Sequence, residues 1–390
     1  MAIPREIAAV FAAKTVRSFC YGFLGILLPV YLSQLGVSAA GVGAAVTLTL
    51  LGSAALTWAI RRPAENYGSR APLLGLAGFS AVSAILLLSS REPWVVVVAA
   101  MIGNVAVSTT ETGPFLTIEQ VVVTRAVSTS RRTMTLSVYN LLGYGGAAIG
   151  AVTVGVSAAR TLFFIFLAGS AIQCIAYLWL RDGAPLNRGS RAAPLPSAPV
   201  IRRMAMLFAL DSFAGGFVVQ SLVAYFLHAR FGLGLDSLGP VFFVTQILTA
   251  ASLLFAARLA GRFGLLNTMV ISHFISNLIL LAIAIAPTAW TAVGLLFLRH
   301  VLSQMDVPTR QAYLMGIVHD HEREAAASAT NLARAITQAV SPALTGWIMQ
   351  TIALSAPFVL GGTLKIIYDV LIYLTFRDVT VPQEPATEHE

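Results

Sequence analysis

Apolar residues occupy runs of about 20 positions along almost the whole chain, and the breaks between the runs are charged or rich in Pro and Gly. A run of this length crosses the ~30 Å hydrocarbon core of a bilayer as one α-helix. The pattern therefore predicts an all-α polytopic membrane protein with twelve transmembrane helices. The predicted spans lie near 8–33, 37–60, 72–90, 94–118, 131–155, 159–181, 203–228, 235–258, 264–287, 288–312, 325–350 and 353–376.

The composition and the charge distribution agree with a membrane protein. The chain is 57% hydrophobic and 11% charged, whereas a soluble protein carries about 25% charged residues. The net charge of +8 does not require a nucleic-acid partner, because the loop arginines are concentrated on one face. Only Arg91, Arg160 and Arg230 fall in the loops of the other face. The positive-inside rule then places both termini in the cytoplasm, with the chain integral to a plasma (bacterial inner) membrane.

A polar stretch divides the predicted spans six and six. It reads "RDGAPLNRGSRAAPLPSAP" at 181–199, and its basic, Pro/Gly-rich composition is typical of a linker. The predicted organisation is an N-terminal six-helix bundle at 1–181, a cytoplasmic linker at 182–202, a C-terminal six-helix bundle at 203–376 and a cytoplasmic tail at 377–390.

The second half repeats the first. Near the start of each half, "RSFCYGF" (17–23) matches "DSFAGGF" (211–217). Because each copy has an even number of spans, the two copies have the same orientation, related by an axis along the membrane normal. A shift of 191 positions also aligns Gln120 with Gln311, Arg132 with Arg323, Ser137 with Ser328, Asn140 with Asn331, Leu141 with Leu332 and Gly155 with Gly346.

These features resemble the major facilitator superfamily. The loop after the second span, "RRPAENYGSR", carries Glu65, Gly68 and Arg70 at positions of that family's conformational loop motif, although Arg61 replaces the first glycine. The fifth span has "GYGGAAIG" without the proline that family antiporters often show. The resemblance implies two pseudo-symmetric six-helix bundles that work by alternating access. It also implies that spans one, four, seven and ten line the cavity.

Charged residues fall mainly in those cavity spans. Because a charge within lipid costs at least ~2.5–3.5 kcal/mol, these side chains are expected to face the bundle interior. Glu111 and Asp211 are candidate proton carriers, since a carboxylate in a low dielectric takes up a proton more readily. A carboxylate beside Arg17 would instead stay ionised and serve only structure. The candidate proton-coupling or gate residues are Arg17, Glu111, Asp211, Asp306, Arg310 and Arg334.

Two of these positions leave alternatives open. Asp306 is expected to belong to an inner gate, paired with Arg310, Arg334 or Arg17; the alternative is an ion pair at a helix end, with Arg310 reaching the headgroups. Arg299 is the leading candidate for substrate contact, because a guanidinium suits a carboxylate or phosphate; the alternatives are a buried pair with Asp306 and a link to the backbone near His300. The other candidate substrate ligands are Tyr139, Asn140, Gln246, Gln311 and Asn331.

Three further signals predict no separate chemistry. Cys20 and Cys174 both fall within spans and offer no disulfide framework or zinc site. The stretch "HDHERE" (319–324) is interpreted as solvated loop charge rather than as a metal site. Lys365 and Asp369 lie one turn apart on the last span, as a self-satisfied pair or as contacts with a neighbouring helix.

The sequence predicts a transporter and not an enzyme. It contains no nucleotide-binding loop, nucleophile elbow or His-Glu metal motif, so no metal or cofactor is expected. The leading hypothesis is proton-coupled efflux of a small organic compound by a rocker-switch motion. The alternatives are an uptake carrier or uniporter for an organic anion, and a transporter-like sensor or lipid-handling protein. The expected partners are a small-molecule substrate, protons and the lipid bilayer, with no nucleic acid, and the chain is expected to act as a monomer.

Overall fold

The computed structural model describes residues 4–107, 113–180, 196–302, 304–319 and 322–377. Within these ranges the chain is helical and contains no strand. The helices are α1 (Arg5–Gln34), α2 (Ala39–Ala59), α3 (Arg61–Tyr67), α4 (Arg70–Ser89), α5 (Pro93–Ile102), α6 (Pro114–Ala126), α7 (Thr129–Val156), α8 (Ala159–Leu178), α9 (Ala198–Gly216), α10 (Gln220–Phe231), α11 (Leu235–Phe263), α12 (Leu265–Ala284), α13 (Ala289–Leu302), α14 (Asp306–Ile317), α15 (Arg323–Thr351) and α16 (Ala356–Phe376).

These helices confirm the all-α membrane fold, and they fit twelve spans. In the described residues, seven helical segments are long and apolar enough to cross a membrane by themselves. The predicted fourth, seventh and tenth spans are each built from two consecutive helices: α5 with α6, α9 with α10, and α13 with α14. The short helix α3 forms the loop between the second and third spans. The helix α9 begins at Ala198, inside the predicted linker, most of which lies outside the described residues.

The breaks within spans follow from local backbone chemistry. After α5, Asn104 has φ +50° and Gly113 has φ +126°, and a helix cannot continue through such left-handed backbone. Pro114 then opens α6 at its first position, where a missing N–H costs nothing. Discontinuous helices inside a membrane are tolerated where the freed backbone groups are buried in protein or face a polar cavity. Each break therefore marks a place where the chain approaches such an interior.

The two halves meet at one end of the molecule, which we call the closed end. It holds the beginnings of α2 and α11 and the final turns of α7 and α15, and the main contacts between halves are α2 with α15 and α7 with α11. The backbones of Gly43 and Gly346 are in direct contact. A Cβ atom on either residue would overlap the other helix, so both positions require glycine. Thr47 Oγ1 also accepts a hydrogen bond from the backbone N–H of Ala343 at 2.9 Å.

At the opposite end the same helices leave large apolar side chains uncovered. Trp58 of α2 is 78% exposed, Met134 of α7 is 71% exposed and Leu332 of α15 is 62% exposed. An apolar side chain at a contact between halves would be covered. These three side chains therefore take no part in a contact between the halves, whereas the halves are packed together at the closed end.

Candidate functional site

The first half contains a fully paired charge cluster. Arg17 on α1 and Glu119 on α6 are both fully buried. Arg17 Nη1 donates to Glu119 Oε1 at 3.0 Å, and Nη2 donates to Oε2 at 2.6 Å. The hydroxyls of Tyr139 and Tyr177 each donate to the same carboxylate at 2.6 Å. The guanidinium lies over the ring of Phe115, 4.3 Å from its centroid. This cluster is closed and leaves the carboxylate no room for a ligand.

The second half contains an open counterpart centred on Asp211 of α9. Arg310 Nη1 of α14 lies 3.0 Å from Asp211 Oδ2 and 2.9 Å from Asp306 Oδ2. Lys365 Nζ of α16 donates to Asp211 Oδ1 at 2.7 Å. Each oxygen of Asp211 thus has a cationic partner, and all four side chains are buried. Buried ions of this kind persist because they are paired and hydrogen-bonded.

The network extends outward to α12. His273 Nδ1 lies 2.6 Å from Asp369 Oδ1 on α16, and Asn277 Nδ2 donates to Asp369 Oδ2 at 2.9 Å. The other imidazole nitrogen, Nε2, is 3.3 Å from Lys365 Nζ and 3.6 Å from Asp211 Oδ1. His273, Lys365 and Asp211 therefore meet at one point.

A cavity of about 150 Å³ lies beside this network, inside the second half. Four cationic side chains and two carboxylates line it together with His273 and His300, so with both imidazoles neutral its lining carries a positive excess of two charges. The buried Nε of Arg299 has no hydrogen-bond partner in the described residues. Arg334 Nε donates to Ser212 Oγ at 2.8 Å. The charged lining residues are Arg299, Arg310, Arg334, Lys365, Asp211 and Asp306.

Comparison with known proteins identifies the family. A model of the Major Facilitator Superfamily matches residues 10–305, about three quarters of the chain. The chain belongs to the major facilitator superfamily. The "Uncharacterized membrane protein YJR124C" of Saccharomyces cerevisiae is 21% identical over 425 residues, covering 96% of this chain and 95% of that protein.

Solved transporter structures share the fold. The nucleoside transporter NupG superposes with a TM-score of 0.75 at 13% identity over 95% of this chain and 100% of that one. The POT family transporter PepTSo gives 0.76 at 9% identity, over 97% and 98%. The human organic anion transporter MFSD10 gives 0.69 at 15% identity, over 95% and 100%. At these identities the likeness shows the fold alone. Together, the family and the fold support secondary transporter activity for this chain.

The described candidate gate residues fall into two groups, one in each half of the fold. Of the partners considered for Asp306, the structure shows Arg310, which is 2% exposed and lies 2.9 Å from Asp306 Oδ2. Arg334 lines the same cavity, whereas Arg17 belongs to the cluster in the first half. Glu111 and the side chain of Glu65 lie outside the part of the chain that the structure describes. In the loop motif, Gly68 ends α3 with φ +76° and Arg70 begins α4.

The predicted substrate ligands are also divided. Arg299 lines the cavity, and Gln246 Nε2 donates at 3.1 Å to Gln220, another lining residue. Tyr139 is buried instead against Glu119 in the first half. The remaining three are exposed and do not line this cavity: Asn140, Gln311 and Asn331.

Two residues of these charge networks, Glu119 and His273, are not among the predicted site residues. Glu119 was placed just outside the fourth span, and His273 was not considered. Lys365 and Asp369 do not pair with each other; each contacts a neighbouring helix, the second of the two predicted alternatives. Glu119 could have been found, because the shift that aligns Gln120 with Gln311 also aligns Glu119 with Arg310.

Proposed function

We propose that this transporter carries a small organic anion, bound in the second-half cavity between Arg299 and Arg334. The observation that carries the proposal is the positive lining of the cavity, together with the unpartnered Nε of Arg299. Arg310 and Lys365 already have carboxylate partners, whereas neither Arg299 nor Arg334 has an ion pair in the described residues. An anionic solute supplies the missing charge.

The energetics favour a ligand over a purely structural role for the two arginines. Both side chains are partly buried. A cation drawn away from water without a counter-ion is unfavourable, and a chain within lipid retains such a group where function requires it. A guanidinium binds a carboxylate or a phosphate through two parallel hydrogen bonds. The volume of about 150 Å³ suits a small solute.

This proposal adopts the organic-anion alternative in preference to a proton-carrying Asp211. Because Asp211 lies within 3.0 Å of both Arg310 and Lys365, opposite charge holds it ionised. It then acts as the anchor that joins α9, α14 and α16. The arginine-poor loops that hold Arg91, Arg160 and Arg230 lie at the closed end, which we therefore assign to the outer face, with both termini in the cytoplasm.

The test is a thermal-shift comparison of the purified protein in detergent. The probes are succinate, glycerol 3-phosphate and benzoate, with neutral glycerol and cationic choline for contrast. We expect at least one anion to raise the melting temperature of the wild type. Arg299→Gln and Arg334→Gln should each lose that response. Arg203→Gln, which changes an exposed arginine on α9, should keep it. Equal stabilisation by choline or glycerol, or a full response in Arg299→Gln, would overturn the proposal.

A further inference from the structure

We propose that His273 is the proton-binding site of this transporter, and that its protonation releases Lys365 into the cavity, so that a proton and an anion bind together. This inference rests on the proposed function, because the anion is the second ligand. The proposed proton carrier is therefore a histidine rather than Glu111 or Asp211, the carboxylates predicted from the sequence. The site lies on α12 and α16, the ninth and twelfth spans, which are not among the spans that the family resemblance assigned to the cavity.

The surroundings of His273 fix its tautomer. Asp369 Oδ1 lies 2.6 Å from His273 Nδ1, and Asp369 Oδ2 accepts a hydrogen bond from Asn277 Nδ2 at 2.9 Å. Asn277 Nδ2 also lies 3.2 Å from Nδ1. Because an ionised carboxylate only accepts, the proton between Asp369 and His273 belongs to Nδ1. A carboxylate that holds one imidazole nitrogen in this way determines which nitrogen is available for chemistry. Nε2 is therefore the basic nitrogen of the ring.

Nε2 points at the junction of a cation and an anion. Lys365 Nζ donates to Asp211 Oδ1 at 2.7 Å and lies 3.3 Å from His273 Nε2, while Nε2 itself is 3.6 Å from Asp211 Oδ1. An ammonium only donates, so Lys365 uses the lone pair of Nε2. Lys365 and a protonated Nε2 would therefore compete for one carboxylate oxygen.

Protonation reverses the contacts at this junction. A proton from cavity water binds to the lone pair of Nε2, and the nitrogen changes from acceptor to donor. The imidazolium then repels the ammonium of Lys365 and attracts Asp211 Oδ1. It takes the place of Lys365 on Asp211, and the ammonium turns into the cavity that both side chains line. No covalent bond other than the new N–H is formed, and none in the protein is broken.

The other groups that face His273 are compatible with this exchange. Arg310 of α14 holds Asp211 Oδ2 at 3.0 Å, so Asp211 keeps one cationic partner throughout. The ring of Tyr368 on α16 meets the imidazole edge to face, with 5.8 Å between centroids. From α13, Arg299 lines the same cavity. The charge that leaves Asp211 therefore moves toward the proposed anion site.

The consequence is positive coupling between proton and anion. When His273 is neutral, Lys365 is occupied by Asp211; when it is protonated, the cavity gains an available ammonium. The anion therefore binds more tightly to the protonated form, and by reciprocity a bound anion increases proton affinity. Each anion that binds while His273 is neutral should draw about one proton from solution. This describes a proton–anion cotransporter.

The first experiment measures proton uptake by the purified protein in weakly buffered detergent with a pH-sensitive dye. Succinate, glycerol 3-phosphate and benzoate are the probes, and thermal shift reports binding independently. The wild type should take up about one proton per anion near neutral pH, with affinity rising up to about tenfold for each unit of acidification. His273→Gln should bind the anion without proton uptake and with no pH dependence. His228→Gln, whose imidazole contacts the backbone of Leu233, is the matched control and should behave as wild type.

A second experiment needs no anion. With isotopically labelled histidine, the NMR signal missing from His273→Gln identifies His273, and we expect that signal to shift when the protein is acidified. A signal that does not titrate, or wild-type anion binding without proton uptake, would overturn the inference. If the signal titrates but no anionic probe binds, the proton site stands and the proposed substrate class fails.

Discussion

The buried pair in the first half makes a quantitative prediction about stability. Glu119→Gln removes one negative charge from a cluster in which Arg17 and Glu119 are both fully buried and joined by hydrogen bonds of 3.0 and 2.6 Å. The side chain keeps its size and one carbonyl acceptor. What changes is that the guanidinium of Arg17 loses its counter-ion inside the fold.

The expected cost is large because the cation cannot reach water. Removing one partner of a buried ion pair costs about 3–5 kcal/mol. Tyr139 and Tyr177 both donate to the carboxylate at 2.6 Å, and an amide has one oxygen to accept from both. The free energy of unfolding of Glu119→Gln should therefore fall by about 3–5 kcal/mol. The double variant Arg17→Met/Glu119→Gln should recover at least half of the loss, because it leaves no unpaired charge.

The assay is unfolding in mixed micelles titrated with a denaturing detergent, followed by circular dichroism. Glu92→Gln changes an exposed carboxylate at the start of α5 and should alter stability by about 0.5 kcal/mol or less. The reasoning is refuted if Glu119→Gln costs less than about 1 kcal/mol. It is also refuted if the double variant is no more stable than the single one, since the loss would then not come from the unpaired cation.

Three further outcomes are expected. With an anion at 100 times its dissociation constant, the wild type should gain about 2.7 kcal/mol of apparent stability, and Arg299→Gln combined with Arg334→Gln should gain none in the same thermal-shift assay. Gly43→Leu should separate α2 from α15 at the closed end, which spin-label distances would report, whereas Gly75→Leu, whose Cβ would meet nothing within 4 Å, should not. Burial raises the pKa of Glu322, but hydrogen bonds from Ser197 and His319 outweigh it and hold the pKa below its usual range. Glu322→Gln should therefore be less stable than wild type at neutral pH, and that difference should vanish on acidification through the lowered pKa of the folded state, as thermal melts at several pH values would show.

The spans were predictable because their physical signal is strong and local. A bilayer requires about 20 apolar residues in a helix whatever the partners of that helix, so the run lengths alone give twelve spans. The breaks inside them were not predicted. Pro114 and Gly113 mark one break in the sequence, but a proline is tolerated in a membrane helix wherever neighbours satisfy the freed backbone groups. Which helices are neighbours is known only from the tertiary structure.

The sequence predicts which charged residues face the interior, but it does not predict which of them contact each other. The expectation that Asp211, Asp306 and Arg310 face the interior needs only the cost of charge in lipid, and the structure places all three together. His273 could not be found in this way, because it is uncharged in isolation and lies on a span that was not expected to face the cavity. Its role depends on contacts with Asp369 and Lys365, across distances of 96 and 92 residues along the chain.

The two charge clusters are related by the internal repeat, with their signs exchanged. The first span carries Arg17 where the seventh carries Asp211, and the fourth carries Glu119 where the tenth carries Arg310. Each half thus keeps one ion pair between corresponding helices, so the pair itself is the feature that packing requires. The halves differ in what surrounds the carboxylate.

The different surroundings explain why only one half holds the proposed site. In the first half, the hydroxyls of two tyrosines complete the coordination of Glu119. In the second half, Asp211 receives Lys365 beside a titratable imidazole, and the adjacent cavity carries two arginines without a carboxylate partner in the described residues. A pair coordinated by hydroxyls is static, whereas one that shares an oxygen with a movable ammonium can be exchanged. The ion pair that the repeat gives each half therefore acts as an anchor in the first half, and in the second half it lies at the proposed coupling point.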